Sequence, residues 1–407
     1  MKVLVNAYAC SPNMGSEPGM AWNWCVNLAN YCELFIITEG EFRDNIESVL
    51  PNLPQGANMH FYYNPVSDRI RQMCWNQGDW RFYYYYRQWQ KKTLIIAQDI
   101  CQHNHIDIIH QLNMIGFREP GLLWKIEGPK FVFGPIGGLM NIPVLYLLKN
   151  SKKETLKVIL KKAISSFQIR FSTNVRSAIN KADILLGATK EEVETIEKVY
   201  GKKILLMPET GTSSELVAKG NIDVFQNSFN ILWVGRFIPT KQLGLALEVM
   251  NRLRNYKNVR LHIVGDGSDA DYYKKKASSL GISGNCVWHG YKDNATVQFM
   301  MQNADLFLFT SIAEASSTVV LESISNNLPV VCFDACGMSS IVTEDIGFKI
   351  PITHYKKSVV DFANIIEYIL LHREELANKS SNCISRAEQL SWKNKAELLF
   401  NLYQQLF

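Results

Sequence analysis

The sequence predicts an α/β protein of two parallel-sheet domains, on three observations. Its 407 residues suit two domains of about 150 or more residues each. Short apolar runs alternate with helical segments throughout, as in strand–helix–strand units whose sheet is covered on both faces. That series halts near Glu209-Thr210-Gly211-Thr212 and begins again with an apolar run over 231–234. The first domain is therefore expected to span 1–212 and the second to start at 213. With 47% hydrophobic and 20% charged residues, both have ample material for a core.

In chain order, residues 2–8 form a first buried strand running into Ala9-Cys10-Ser11-Pro12-Asn13-Met14-Gly15-Ser16-Glu17-Pro18-Gly19, then a helix over 20–30. Glycines between a strand end and a helix start let backbone amides approach phosphate, so Gly15 and Ser16 are candidate anion-facing residues. The three glycines of the dinucleotide fingerprint are missing. Residues 34–38 form a second strand. Residues 75–89 hold Trp75, Trp80, Phe82, Tyr83, Tyr84, Tyr85, Tyr86 and Trp89, with Arg81 and Arg87 interleaved. Such a segment packs on the sheet as an aromatic helix, stacks on a sugar, or sits at a membrane interface. Residues 107–110 read as a strand ending in His110 at the carboxyl edge, where ligands bind in such sheets. His110 is either structural there or ligand-facing. After a strand over 131–133, Gly134-Pro135-Ile136-Gly137-Gly138 has the glycines of a backbone lining a ligand cleft. The stretch 149–181 carries Lys152, Lys153, Lys157, Lys161, Lys162, Arg170 and Arg176, with Leu156, Ile159, Leu160, Ile164 and Phe167 at helical spacing. It is either an ordinary surface helix or one that lies on an anionic membrane. A strand over 184–186 and a helix over 190–200 follow.

In the second domain, strands are expected over 231–234, 260–264, 287–289, 306–309 and 330–333. Gly235-Arg236 ends the first of these, with Lys241 five residues beyond Arg236, placing two cations beside a turn. Gly265-Asp266-Gly267 and Gly290-Tyr291-Lys292 stand at later strand ends. After 306–309 comes Glu314-Ala315-Ser316-Ser317-Thr318-Val319-Val320-Leu321-Glu322, with a helix over 319–324 that ends before Pro329. The first amides of that helix lack partners and lie at the positive end of its dipole, a ready anion site. Carboxylates beside an anion site make sense once a sugar lies between them. They accept from hydroxyl groups while the amides take phosphate.

Glu314 and Glu322 at this spacing, preceded by Val234-Gly235-Arg236 and Lys241, resemble the signature of glycosyltransferase family 4. The resemblance covers nearly the whole chain and is strongest over 231–348. It implies the GT-B fold, two Rossmann-like domains facing an interdomain cleft. The C-terminal helix, 384–407, would pack back on the first domain and leave 213–383 as the second. It further implies a retaining enzyme that moves a hexose-type sugar from a UDP- or GDP-linked donor to a glycan or lipid-linked acceptor. Residue by residue, Arg236 and Lys241, beside Gly235, would hold the diphosphate, and the amides around Ser317, Thr318 and Val319 would meet it. Glu322 would accept the ribose hydroxyls and Glu314 those of the donor sugar. His110 matches the family's strand-end histidine near that sugar. Gly265, Gly267 and Tyr291 would border the base. The loop of Gly15 and Ser16 would face the donor diphosphate, with Glu17, Gly137 and Gly138 towards the acceptor. The Gly-Ser-Glu-Pro-Gly and Gly-Pro-x-Gly-Gly loops look like those of a subgroup associated with capsule, exopolysaccharide or lipopolysaccharide assembly. Family members usually carry a Gly or an aromatic residue where Ser316 and Ser317 stand, which leaves the sugar's identity open.

No Asp/Glu/His constellation has metal-ligand spacing, so metal-independent catalysis without a further cofactor is expected. The 43 Lys and Arg against 38 Asp and Glu leave a net charge of +5, too small to imply nucleic-acid binding. It suits anionic small molecules or a negatively charged membrane face. Nine cysteines without a CxxC pair fit a reduced, cytoplasmic setting, and Cys332 and Cys336 read as core residues. Residues 1–5 lack the apolar length of a secretory signal, and no 18-residue apolar run would span a bilayer. The expected location is cytoplasmic, peripheral on the inner face of the cytoplasmic membrane if the basic stretch docks. Two rival readings remain: a nucleotide-sugar epimerase of the same fold, and a non-catalytic sugar-nucleotide-binding protein. The second would be marked by loss of a site residue, yet Arg236, Lys241, Glu314 and Glu322 are all present.

Overall fold

Apolar runs such as Leu306–Phe309 and Val330–Phe333 are buried along their whole length, as strands covered on both faces must be. A computed structural model describes residues 1–75, 79–148, 152–213 and 228–407. Their strands form two wholly parallel sheets. The first contains β1 (Lys2–Ala7), β2 (Glu33–Thr38), β3 (Met59–Tyr63), β4 (Ile108–Asn113), β5 (Lys130–Ile136), β6 (Ile184–Gly187) and β7 (Leu205–Leu206), in the order β3-β2-β1-β4-β5-β6-β7. The second contains β8 (Phe229–Val234), β9 (Val259–Val264), β10 (Cys286–Gly290), β11 (Leu306–Phe309), β12 (Val330–Phe333) and β13 (Gly347–Ile350), in the order β10-β9-β8-β11-β12-β13. Each chain segment winds outward from its first strand and returns on the other side. The order therefore reverses at β1/β4 and at β8/β11. Loops leaving those strands diverge, which opens a crevice at the carboxyl ends.

Contacts divide the chain into one unit of Met1–Leu139, Ala163–Glu209 and Trp392–Phe407, and another of Met140–Lys162 and Thr210–Ser391. The single helix expected from 384 onward is two helices. Arg373–Gln389 belongs to the second unit and stops where Leu390 accepts from the Thr212 amide at 3.0 Å. Trp392–Gln404 then belongs to the first unit. Its buried Trp392, Ala396, Leu399 and Tyr403 join that core, with Trp392 edge-on to Trp24 at 5.6 Å. The break follows from hydrogen bonding, since the Ser391 amide turns back to Glu388 and Leu390 pairs with another segment.

The basic stretch is helical over Lys152–Phe171 and Thr173–Lys181. Residues 149–151 and the side chains of Trp75, Lys152 and Lys153 lie outside the described residues, as does the polar stretch 214–227 after the first domain. Cys332 and Cys336 are buried and form no disulfide, as core residues would be. Among the described residues, no helix is long and apolar enough to cross a membrane.

Candidate active site

The carboxyl edge of the second sheet is built first from main chain. Gly235 N–H donates to Val264 O at 3.0 Å, and Gly265 N–H to Gly290 O at 2.8 Å, so the loops after β8, β9 and β10 lie side by side. Gly265 has φ +135°, and a Cβ there would stand 1.9 Å from Gly235 O, so only glycine permits the approach. Across the switch point, Thr310 just after β11 donates its hydroxyl to Lys241 O at 2.8 Å and receives Trp233 Nε1–H at 3.0 Å. The Ile312 amide donates to Thr240 O at 3.0 Å. These bonds hold the turn Pro239–Lys241 against the loop that carries Glu314.

The Lys241 ammonium then forms an ion pair with Glu314 Oε1, and Ser311 Oγ donates to the same oxygen at 3.2 Å. Both side chains are largely shielded, 16% and 22% exposed, so their attraction is less screened than that of a surface pair. Gly337 fixes the loop from behind: its amide donates to Glu314 O at 2.9 Å, and a Cβ there would meet Ala315 O at 1.7 Å. The following helix, Thr318–Ser325, begins one residue earlier than expected. Its N-cap, Ser317, is extended and makes no side-chain cap bond, so its first amides point outward unclaimed by a cap. Glu322 lies in the second turn, where Oε1 accepts from Asn294 Nδ2 at 2.7 Å and burial pushes its carboxyl up. Arg236 is exposed at the rim, and Tyr291 is exposed beyond Gly290. Gly267 packs against Phe237, where a Cβ would approach to 2.9 Å.

The carboxyl edge of the first sheet is chemically different. The helix Ser16–Leu28 starts at Gly15 with no side-chain cap, and Ser16 has φ +57°, uncommon for a residue with a Cβ. Glu17 in the first turn accepts from the Ile115 amide at 3.3 Å, and burial raises its pKa. The Ile115 carbonyl accepts from Gly137 N–H at 2.7 Å, and Gly137 O accepts from the Phe117 amide at 3.0 Å. Glu17 and the Gly137-Gly138 loop are thus joined through Ile115. Fully buried Glu192 extends the support, accepting from the Leu139 amide at 2.8 Å.

His110 is not at the strand end. β4 continues through Gln111, Leu112 and Asn113, and His110 is fully buried inside it. Its Nε2–H donates to Gly134 O at 2.6 Å, which leaves Nδ1 to accept from the Tyr403 hydroxyl at 2.6 Å. Burial lowers its pKa from 6.5 to about 4. Both ring nitrogens are used within the first unit, so His110 anchors the C-terminal helix to the sheet and does not present a ring to ligand. The residue at the edge is Asn113. Its amide group pairs with Ala9, accepting from the N–H at 3.3 Å and donating to the C=O at 2.7 Å. Gln111 donates to Asn113 O at 3.0 Å and accepts from Asn6 Nδ2 at 2.7 Å, while Asn6 also donates to Gln90. Gln90 in turn donates to the Tyr86 hydroxyl at 2.7 Å. Sequence reasoning missed this neutral network. Its only signal was two polar side chains, Gln111 and Asn113, closing an apolar strand.

Two parallel, doubly wound sheets, each with an open carboxyl edge, define the GT-B class of fold. HepE of Anabaena, solved in complex with UDP, shares it at TM-score 0.63 over 100% of both chains, with 15% identity. More particularly, residues 218–389 match the model of the family of glycosyl transferases, group 1. An uncharacterized glycosyltransferase of Methanocaldococcus jannaschii is 26% identical over 187 residues, 45% of this chain and 47% of that protein. The lipopolysaccharide core biosynthesis glycosyltransferase LpsE of Rhizobium meliloti is 32% identical over 123 residues, 30% of this chain and 35% of that protein. The chain spans about half the length of the first of these curated relatives.

Proposed function

We propose that this protein is a retaining, metal-independent glycosyltransferase that moves a hexose-type sugar from a UDP- or GDP-linked donor to a glycan or lipid-linked acceptor in surface-polysaccharide assembly. The observation that carries this reading is the Lys241–Glu314 pair beside the uncapped start of the helix Thr318–Ser325. In the transition state, negative charge grows on the β-phosphate oxygen of the leaving diphosphate. Lys241, Arg236 and the amides of Thr318 and Val319 are the donors for that charge, and because they are already placed they need little reorganisation. Glu314, held by Lys241 and Ser311, is then aimed at the hydroxyls of the transferred sugar. Glu322 serves the ribose: burial raises its carboxyl pKa, and its oxygens are placed to accept from the hydroxyls. On the first unit, Gly15 and Ser16 meet the donor, while Glu17 and the Gly137-Gly138 loop bind the acceptor.

The match over 218–389 and the lipopolysaccharide role in the name of the Rhizobium relative support transfer to a surface glycan over epimerisation. The protein works in the cytoplasm, peripheral on the inner face of the membrane, with the basic stretch 149–181 against anionic lipid. Calorimetry with UDP and GDP, followed by a panel of their sugars in a thermal-shift assay, tests the donor assignment. Binding of neither nucleotide would remove it, as would equal affinity in wild type and Lys241→Ala.

A further inference from the structure

Surface helices ordinarily turn their apolar stripe inward. The helix Lys152–Phe171 does the reverse. Leu156, Ile159, Leu160, Ile164, Phe167 and Phe171 are 67%, 49%, 59%, 45%, 64% and 61% exposed. At about 100° per residue they fall within an arc of about 140°. The buried side chains, Thr155, Ser165 and Ile169, occupy the opposite side, and two of the three are polar. Phe167 and Phe171 lie together, ring centroids 4.9 Å apart, at one end of the stripe. Exposed Lys157 and Lys161 run along one flank, and Arg170 stands at the other edge near the C-terminal end. A contiguous apolar stripe of this length turned to water is rare unless something covers it.

From this geometry we infer that the stripe is a docking face for an anionic lipid bilayer, with the six apolar side chains in the acyl boundary and the flanking cations at the headgroups. The inference deepens the membrane reading above by naming the face and its orientation. Charge decides between lipid and a second copy of the chain. The helix sequence holds a single acidic residue, Glu154 in its first turn, against Lys152, Lys153, Lys157, Lys161, Lys162 and Arg170, so pairing stripe to stripe would bring cationic flanks together with little answering charge. An anionic bilayer satisfies the apolar stripe and the cations at once.

The test is co-sedimentation of the full chain with phosphatidylcholine vesicles, with and without phosphatidylglycerol, at low and high salt. Binding is expected only with phosphatidylglycerol and is expected to weaken with salt. Leu160→Glu with Phe167→Glu should reduce it by at least about tenfold. Lys157→Glu with Lys161→Glu, which leaves the stripe intact, should abolish the preference for the anionic lipid. Absence of wild-type binding, or binding unchanged in the first double variant, overturns the inference. So does a wild-type dimer that this variant dissociates in sedimentation velocity without any vesicle binding, which would make the stripe a self-interface. UDP affinity by calorimetry should be the same in wild type and both double variants. Failure of lipid docking with intact UDP binding thus leaves the transfer reading standing, and the converse also holds.

Discussion

The carboxyl edges of the two sheets share a topology and differ in chemistry. At β8/β11 the crevice holds an ion pair, an exposed arginine, a second carboxylate and an uncapped helix start. At β1/β4 it is lined by neutral amides and a tyrosine hydroxyl, with Glu17 at the loop and an ion pair, Glu39 with Arg71 at 3.1 Å, displaced to the end of β2. A doubly wound sheet provides the same crevice in both places, because diverging loops are a consequence of strand order. What each crevice can hold is set by side chains. Fixed charge favours a ligand that carries or develops charge, whereas a neutral network positions main chain without a large desolvation penalty.

The largest expected effect tests the charged side of that contrast. Glu314→Ala and Lys241→Ala should each lower sugar transfer by about two orders of magnitude or more, the scale of a lost transition-state contact. The chain should stay folded by circular dichroism, and near-wild-type rates in either variant would erase the distinction between the two edges. On the neutral side, Asn113→Ala leaves the Ala9 N–H and C=O buried without partners. It should lower stability by about 1–3 kcal/mol in denaturant unfolding, while UDP affinity changes little. A loss of nucleotide binding with unchanged stability would instead make Asn113 a ligand residue.

His110 sharpens the comparison through pH. Its folded pKa is depressed from 6.5 to about 4, so the unfolded chain binds more protons between those values. Stability from this group is therefore present above about pH 6.5 and lost as pH falls towards 4. His110→Asn should lower the melting temperature at neutral pH and flatten its fall over that window, with turnover nearly intact. A selective loss of turnover would return His110 to the catalytic set. The smallest effect belongs to Glu322→Gln. Its folded pKa is raised by burial, so the folded chain holds its proton more tightly and stability falls as pH rises through that raised value. Removing the charge should flatten this fall and weaken nucleotide affinity only several-fold, as expected for one exchanged hydrogen bond.

Legibility followed the same division. In the second unit, the groups that meet are close in sequence or announced by charge. Gly235, Arg236 and Lys241 lie on one loop, and Glu314 and the helix start lie on another. In the first unit, the reciprocal bonds of Asn113 and Ala9 join residues 104 apart, and no local pattern encodes such a pairing. His110 was misplaced for a related reason. A strand's end is read from where apolar residues stop, and here buried amides prolonged β4 by three residues.

By itself, the sequence determined the alternation of strands and helices, the restart of the second sheet and which cationic and acidic residues are candidates for its site. These depend on local periodicity and on side-chain type, which are properties of the chain alone. Only the tertiary structure decided that the carboxyl edge of β4 is neutral, that the C-terminal segment breaks at Leu390, and that the helix Lys152–Phe171 turns its apolar stripe outward. Periodicity defines a helix's faces but not which of them is covered. Covering depends on contacts between residues far apart in sequence, which exist only once the chain has folded.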